Sequence, residues 1–374
     1  MNKRLRITTI LGTRPEIIRL SSIIQKFDIY FEHRIVLTGQ NNQAELSTNF
    51  FTEFDIREPD AYLGLSVESL GSFLGALFSS IEKEFIANRP DAIMLLGDTN
   101  SSLISILAKR MKIPVYHLEA GNRSFDLNVP EEINRKIIDH SSDFNLCYTR
   151  HAARNLEKEG FPSRQVAVIG SPLREVIEFI SPKIRDSKIL DQLKIISGNY
   201  FLISLHRQEN IDAEDRLNNI ISCLNNLARE FEIPIIVSAH PRFADKLSNL
   251  QISLHSNIKL MKPFGYVDYM KLQKESKLVV SDSGSVSEES AIADFRSVTL
   301  RDSMERPEAL EAGSIILTGT NPANFVNLIK ITIDSEKSRV MPDEYLIPDT
   351  STRVLNYLLS TIGQFEFWNG LRKS

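Results

Sequence analysis

Short apolar runs alternate with longer stretches of mixed polarity along most of the chain. Leu5-Arg6-Ile7-Thr8-Thr9-Ile10-Leu11, Arg34-Ile35-Val36-Leu37-Thr38 and the runs at 94–97, 115–119 and 144–148 read as strands. Between them, residues 15–24 place apolar side chains at helical spacing, with Pro15 suited to the first helical turn. Residues 100–109 and 131–139 read as further helices. Alternating strands and helices imply a parallel sheet covered on both faces. The pattern restarts near residues 165–170. Phe201-Leu202-Ile203, Ile235-Ile236-Val237, Leu278-Val279-Val280 and Ser297-Val298-Thr299-Leu300 then supply strands of a second sheet. Residues 171–199 form a charged, helical connection, so the boundary falls near Gly170, with one domain over 1–170 and the other over 171–354. An amphipathic helix is expected over 352–367, just before the single tryptophan, Trp368. The expected class is α/β, with two Rossmann-like lobes.

Composition narrows the function. With 374 residues the chain is too long for one core, and 42% hydrophobic and 25% charged residues are ordinary for a globular protein. A net charge of -4 with scattered basic residues gives no case for nucleic acid or an anionic membrane. No apolar run is long enough to span a bilayer, and the N-terminus lacks a signal-peptide pattern, so a cytoplasmic location is expected. Cys147 and Cys223 have no neighbouring cysteine or histidine at metal-ligand spacing and read as buried thiols. The Gly-x-Gly-x-x-Gly fingerprint is absent, which counts against a nicotinamide cofactor. Neither a metal nor a cofactor is expected.

The ionisable residues concentrate where strands end. Gly12-Thr13-Arg14-Pro15-Glu16 follows the first strand, Gly97-Asp98-Thr99 the run at 92–96, and His117-Leu118-Glu119 closes another. His206-Arg207, His240-Pro241 and Asp282-Ser283-Gly284-Ser285 do the same in the second half. In open parallel sheets this rim is where ligands bind. The turn at 12–15 leads into a helix, whose free N–H groups and dipole suit phosphate, and Arg14 adds a guanidinium. The bland alternative is an ordinary turn with an exposed arginine. His117 and Glu119 alternate and are expected on one strand face. Asp98 is either a site carboxylate or a helix cap. Glu131 and Arg135 are four apart and expected to share a helix face, with Glu132 pointing elsewhere. The alternative there is a solvated acidic first turn. Small residues at 283–285 let backbone approach a phosphate, and a carboxylate from Glu288-Glu289 could take a ribose diol.

Taken in order, these motifs resemble the non-hydrolysing UDP-N-acetylglucosamine 2-epimerase family. The resemblance rests on Gly-Thr-Arg-Pro-Glu at 12–16, Gly-Asp-Thr at 97–99, His-x-Glu-Ala-Gly at 117–121 and Pro-Glu-Glu-x-Asn-Arg at 130–135. It extends through His206-Arg207, Asp-Ser-Gly at 282–284 with Glu288-Glu289, and Glu-Arg-Pro-Glu at 305–308. It implies a GT-B fold, two Rossmann-like domains whose sheets face a central cleft, with the C-terminal helix, about 355–374, packing back on the first. It implies catalytic roles for Asp98, Glu119, Glu131 and His206. It implies substrate contacts for Arg14, Arg207, His240, Phe264, Ser283, Gly284, Ser285 and Glu289. The partner is a UDP-activated acetamido sugar, with no nucleic acid or membrane, and the assembly a homodimer.

Some positions depart from the usual family pattern. Asn122 follows Glu-Ala-Gly where leucine is usual, the connection 124–129 is short, Asn41-Asn42 replaces a histidine-containing stretch, and Ser285, Val286 and Ser287 alter the phosphate turn. These departures resemble a branch that converts UDP-2-acetamido-2,6-dideoxy-L-talose to UDP-N-acetyl-L-fucosamine for capsule or O-antigen assembly. UDP-N-acetylglucosamine itself is the alternative substrate. The chemistry the family implies is elimination of UDP across C1–C2 and its re-addition. A GT-B glycosyltransferase, a hydrolysing epimerase and a non-catalytic UDP-sugar-binding module are the competing readings.

Overall fold

A computed structural model describes residues 4–40, 50–65, 69–205, 210, 213–239, 243, 246–247, 253–302, 304–336 and 340–371. The chain forms two compact units, Met1–Glu178 with Glu344–Ser374, and Phe179–Asp343.

The first unit runs β1 (Arg6–Leu11), α1 (Arg14–Tyr30), β2 (Glu32–Leu37), β3 (Ala61–Tyr62), α2 (Leu70–Ala87), β4 (Ala92–Leu96), α3 (Ser105–Arg110), β5 (Val115–Leu118), α4 (Glu131–Ser141), β6 (Phe144–Cys147), α5 (Arg150–Lys158) and β7 (Val166–Val168). Its strands lie in the order β3-β2-β1-β4-β5-β6-β7, all parallel. Central strands covered on both faces read as continuous apolar runs, which is why β4 (Ala-Ile-Met-Leu-Leu) is buried at every position. The region 100–109 begins as a tight 3₁₀ turn, Asn100–Ile104, before α3. Three serines and an asparagine in 100–105 explain the difference, since their side chains compete for local backbone bonds.

The connecting helix α6 (Leu173–Asp186) leads to α7 (Ile189–Leu193) and the second unit. There β8 (Phe201–Leu205), α8 (Glu214–Phe231), β9 (Ile235–Ala239), β10 (Ile258–Met261), α9 (Tyr266–Glu275), β11 (Leu278–Ser281), α10 (Val286–Ala293), β12 (Ser297–Thr299), α11 (Glu308–Glu311), β13 (Ile316–Leu317) and α12 (Pro322–Asp334) follow. Its parallel sheet has the order β10-β9-β8-β11-β12-β13. In both sheets the order reverses direction beside the first strand, between β1 and β4 and between β8 and β11. Such a switch point opens a crevice at the strands' carboxyl ends.

The chain then returns to the first unit through α13 (Thr350–Thr361) and the short α14 (Phe365–Trp368). The amphipathic stretch is thus broken at Ile362–Gln364, and Trp368 closes the last helical turn. Ser351 Oγ donates to Glu175 at 2.5 Å, Tyr116 Oη meets Thr361 Oγ1 at 2.8 Å, and Trp368 lies 6.1 Å from the Phe144 ring. No helix among the described residues is long and apolar enough to cross a membrane. Both cysteines are buried, and burial pushes the Cys223 thiol up to about 12.

Candidate active site

At the first unit's switch point, the turn after β1 carries Arg14 and the turn after β4 carries Asp98. The Asp98 carboxylate receives Arg135 Nε at 2.7 Å, and its main-chain oxygen receives Asn134 Nδ2 at 2.9 Å. Asp98 is therefore an ion-pair partner rather than a helix cap. Arg135 also donates to Glu132 at 3.0 Å. This corrects the expectation that Glu132 points elsewhere. Glu132 is the buried member, and Glu131 is exposed at the start of α4. The three-residue spacing wins because Glu132 also accepts from Ser124 N at 2.9 Å and Ser124 Oγ at 3.0 Å, which fixes it beneath the 122–129 loop. Burial raises the Glu132 carboxyl, but the Ser124 bonds and the Arg135 charge outweigh it and hold it below the usual carboxylate range.

His117 and Glu119 do not share a strand face. β5 ends at Leu118, and Glu119 sits in the left-handed region at φ +68°. Gly121 follows at φ +82°, and a Cβ there would fall 2.3 Å from the Ala152 carbonyl oxygen. This turn swings Glu119 off the strand's alternation and brings it 3.8 Å from Arg19 Nε. His117 is fully buried instead. Its Nε2 donates to Gly97 O at 2.8 Å, and its Nδ1 meets Asp139 Oδ1 at 2.8 Å. Burial opposes ionisation of Asp139, but His117 and Arg123 outweigh it and hold its carboxyl low. His117 thus braces the Gly97-Asp98 turn from behind.

The turn after β1 offers fewer free N–H groups than expected. Gly12 N and Thr13 N do not point to an open site, since both donate to Glu16 Oε2, at 2.6 and 2.5 Å. Arg14, the cation of this turn, has its guanidinium 5.7 Å from the Phe50 ring centroid and is held below its ordinary value by burial. Thr99 Oγ1 also donates to Glu16, at 2.8 Å.

In the second unit, Ser283, Gly284 and Ser285 form the turn between β11 and α10. Ser283 Oγ lies 3.0 Å from Ser285 Oγ, and Gly284 O accepts from Arg306 at 2.8 Å. A Cβ on Gly284 would fall 2.4 Å from Glu305 Oε1, so the backbone there is packed against a buried carboxylate. Asp282 is buried and accepts from Asn210 at 2.8 Å. Glu289, one turn into α10, is buried and accepts from Gln273 at 2.8 Å. Phe264 is half-buried just before α9. His206, Arg207, His240 and the Asn41-Asn42 pair lie outside the described residues. Among the described residues, no group of three or more His, Cys, Asp or Glu side chains could hold a metal ion.

The structure thus gathers Arg14, Asp98, Glu119 and their supports at the first unit's rim, and Ser283, Gly284, Ser285 and Glu289 in the second. Arg19, Arg123, Glu132 and Asp139 were missed because they sit inside helical or loop patterns where charges look ordinary. The available signal was an arginine directly between Ile18 and Leu20 in an otherwise buried run.

The profile of the UDP-N-acetylglucosamine 2-epimerase family matches residues 25–359. The chain belongs to this family. The solved UDP-N-acetylglucosamine 2-epimerase of Rickettsia bellii is 36% identical, with a TM-score of 0.90 over 97% of this chain and 98% of that one. The Methanocaldococcus jannaschii UDP-GlcNAc 2-epimerase, solved in complex with UDP-GlcNAc and UDP, is 32% identical. Its TM-score is 0.87 over 95% of this chain and 100% of that one. A Pseudomonas aeruginosa UDP-2,3-diacetamido-2,3-dideoxy-D-glucuronate 2-epimerase is 32% identical over 84% of this chain and 88% of its own length. As in the other 2-epimerases, the two parallel-sheet α/β units are those of the GT-B fold.

Proposed function

We propose that this chain is an isomerase that inverts C2 of a UDP-2-acetamido sugar. The observation that carries the reading is the first unit's rim, where Asp98 and Glu119 are each set against an arginine at a strand end. The C2 proton has no flanking carbonyl and is not acidic, so simple deprotonation and reprotonation is too slow. Elimination solves the problem. A carboxylate takes the C2 proton while the C1–O bond to UDP breaks, giving a glycal and free UDP in the site. Protonation of C2 from the opposite face and re-addition of UDP at C1 give the epimer. Asp98, Glu119 and the exposed Glu131 are the acid–base candidates. Arg14 and the Ser283–Ser285 turn are suited to the departing diphosphate, Glu289 to the ribose and Phe264 to the base. By motif, His206 is proposed as a catalytic residue and Arg207 and His240 as substrate contacts.

For the sugar we propose UDP-2-acetamido-2,6-dideoxy-L-talose, converted to UDP-N-acetyl-L-fucosamine, a donor for capsule or O-antigen assembly. The short loop between Glu119 and Glu131 exposes Phe125 (74%) and Leu127 (75%), and apolar side chains suit a methyl at C6 better than a hydroxymethyl. UDP-N-acetylglucosamine is the second reading, favoured by the M. jannaschii relative's complex with that sugar. The Pseudomonas relative carries a name with yet another substituent pattern, so the sugar is a matter for direct test. Proton NMR in D2O with each UDP-sugar decides it. Loss of the C2 proton signal with appearance of the epimer identifies the substrate, and absence of exchange with every UDP-acetamido sugar rules out epimerisation. We also propose a homodimer. Ile106 on α3 and Ile133 and Ile137 on α4 are exposed, the last two on one helical face, and a second copy would cover them. A monomeric mass by light scattering at micromolar concentration would refute this.

A further inference from the structure

Glu16 is a buried carboxylate with more hydrogen bonds than its place in the helix requires. At the third position of α1 it closes a capping box by accepting from Thr13 N. That bond alone caps the helix. Yet its Oε2 also accepts from Gly12 N at 2.6 Å and Thr13 Oγ1 at 3.0 Å, and its Oε1 accepts from Thr99 Oγ1 at 2.8 Å. Thr99 belongs to the turn after β4, across the switch point. An exposed glutamate would cap as well without the cost of burial, which here pushes its carboxyl up to about 7 despite the bonds from Gly12, Thr99 and Thr13.

The two turns joined by Glu16 carry the residues that matter for the reaction. Arg14 follows Thr13 directly, and Asp98 precedes Thr99. On its other side Asp98 is held by α4, through Asn134 on its main-chain oxygen and Arg135 on its carboxylate. Nearby, Ser101 Oγ meets Thr38 Oγ1 at 2.8 Å and donates to Gln40 at 2.9 Å, tying in the turn after β2. A Cβ on Gly12 would fall 2.2 Å from Ser101 Oγ, so the β1 and β4 turns are in close contact.

We infer that Glu16 is a positioning residue that fixes the Arg14 turn against the Asp98 turn, so that diphosphate departure and proton transfer at C2 occur at one set spacing. The inference rests on the 2-epimerase reading. Neither Glu16 nor Thr99 touches the sugar in it. Both act through their neighbours.

Thr99→Val tests it most cleanly, because it keeps side-chain shape and charge and removes the bond between the turns, with only the 3.4 Å contact of Thr99 Oγ1 to Ser102 Oγ lost besides. Misplacement on the ångström scale slows a positioned reaction by up to roughly a hundredfold, so kcat for C2 exchange is expected to fall by about tenfold or more. UDP affinity by calorimetry and the unfolding temperature should stay at wild-type values. A second comparison keeps the test open if one variant folds poorly. Glu16→Gln keeps the length, can accept from the amides with its carbonyl and donate to Thr99 Oγ1, and should retain more kcat than Glu16→Asp, which is too short to reach both turns. Wild-type kcat in Thr99→Val overturns the inference. So does a parallel fall of kcat, UDP affinity and unfolding temperature, which marks a purely structural role, or Glu16→Asp outperforming Glu16→Gln. A wild-type protein that exchanges C2 of no UDP-sugar overturns the 2-epimerase reading itself, and the positioning role with it.

Discussion

At the scale of single residues, the site is a set of carboxylates sorted by their surroundings. Asp98 keeps a partly exposed carboxylate against Arg135, whereas Glu132 and Asp139 are sealed in and committed to holding backbone and arginines. Replacing Asp98 by asparagine keeps the shape but removes the acid–base group, and should lower kcat by roughly 10²–10⁴-fold with the fold intact by circular dichroism. Glu16 makes a separate prediction about stability. Its folded-state value, about 7, lies above the ordinary glutamate value of 4.5, so between those two pH values the folded protein binds the extra proton. Stability therefore falls as pH rises through this window, by roughly 3 kcal/mol from this group alone. Denaturant unfolding of wild type and Glu16→Gln across pH 4.5–8 should give a shallower slope for the variant. The strand-end placement of Asp98 and Glu119 was legible in the sequence because each follows an apolar run. The burial of Glu16 and Asp139 was not, because a helical acidic residue looks the same on paper whether it faces water or a neighbouring turn.

At the scale of elements, the strand-to-helix turns do the aiming. Central strands were legible because burial on both faces writes an unbroken apolar run. The two-residue edge strands Ala61–Tyr62 and Ile316–Leu317 were not, since so short a segment carries no period. Turn geometry was the least legible feature. Alternation put His117 and Glu119 on one face, but the left-handed backbone at Glu119 and Gly121 decouples them. Gly121→Ala would demand both a left-handed alanine and a Cβ against the Ala152 carbonyl, costing about 1–3 kcal/mol or more. The lowered unfolding temperature should come with a loss of kcat, because Glu119 moves with the turn. The 122–129 loop, pinned by Glu132, makes a specificity prediction. Phe125→Ser should reduce turnover of a 6-deoxy sugar more than that of UDP-N-acetylglucosamine, measured as the ratio of the two kcat/KM values.

At the scale of the whole molecule, each unit repeats one arrangement, a parallel sheet with a reversal of strand order that opens a crevice at the carboxyl ends. The proposed division of labour follows from sequence order, with the proposed acid–base groups before Glu178 and the turn and carboxylate proposed for phosphate and ribose after it. Yet the first unit is not contiguous. Its own surface includes α13 and α14, which cover Tyr116 and Phe144. Removing residues 350–374 should therefore expose apolar surface on the first unit, seen as increased binding of a hydrophobic dye and a lowered unfolding temperature. During synthesis the first unit emerges from the ribosome without its closing piece. Phe179–Asp343 must be translated before that piece appears, a wait on the order of ten seconds or more at roughly 5–20 residues per second. The half of the protein made first is thus the half finished last, and its nascent form exposes the apolar surface that α13 and α14 later cover.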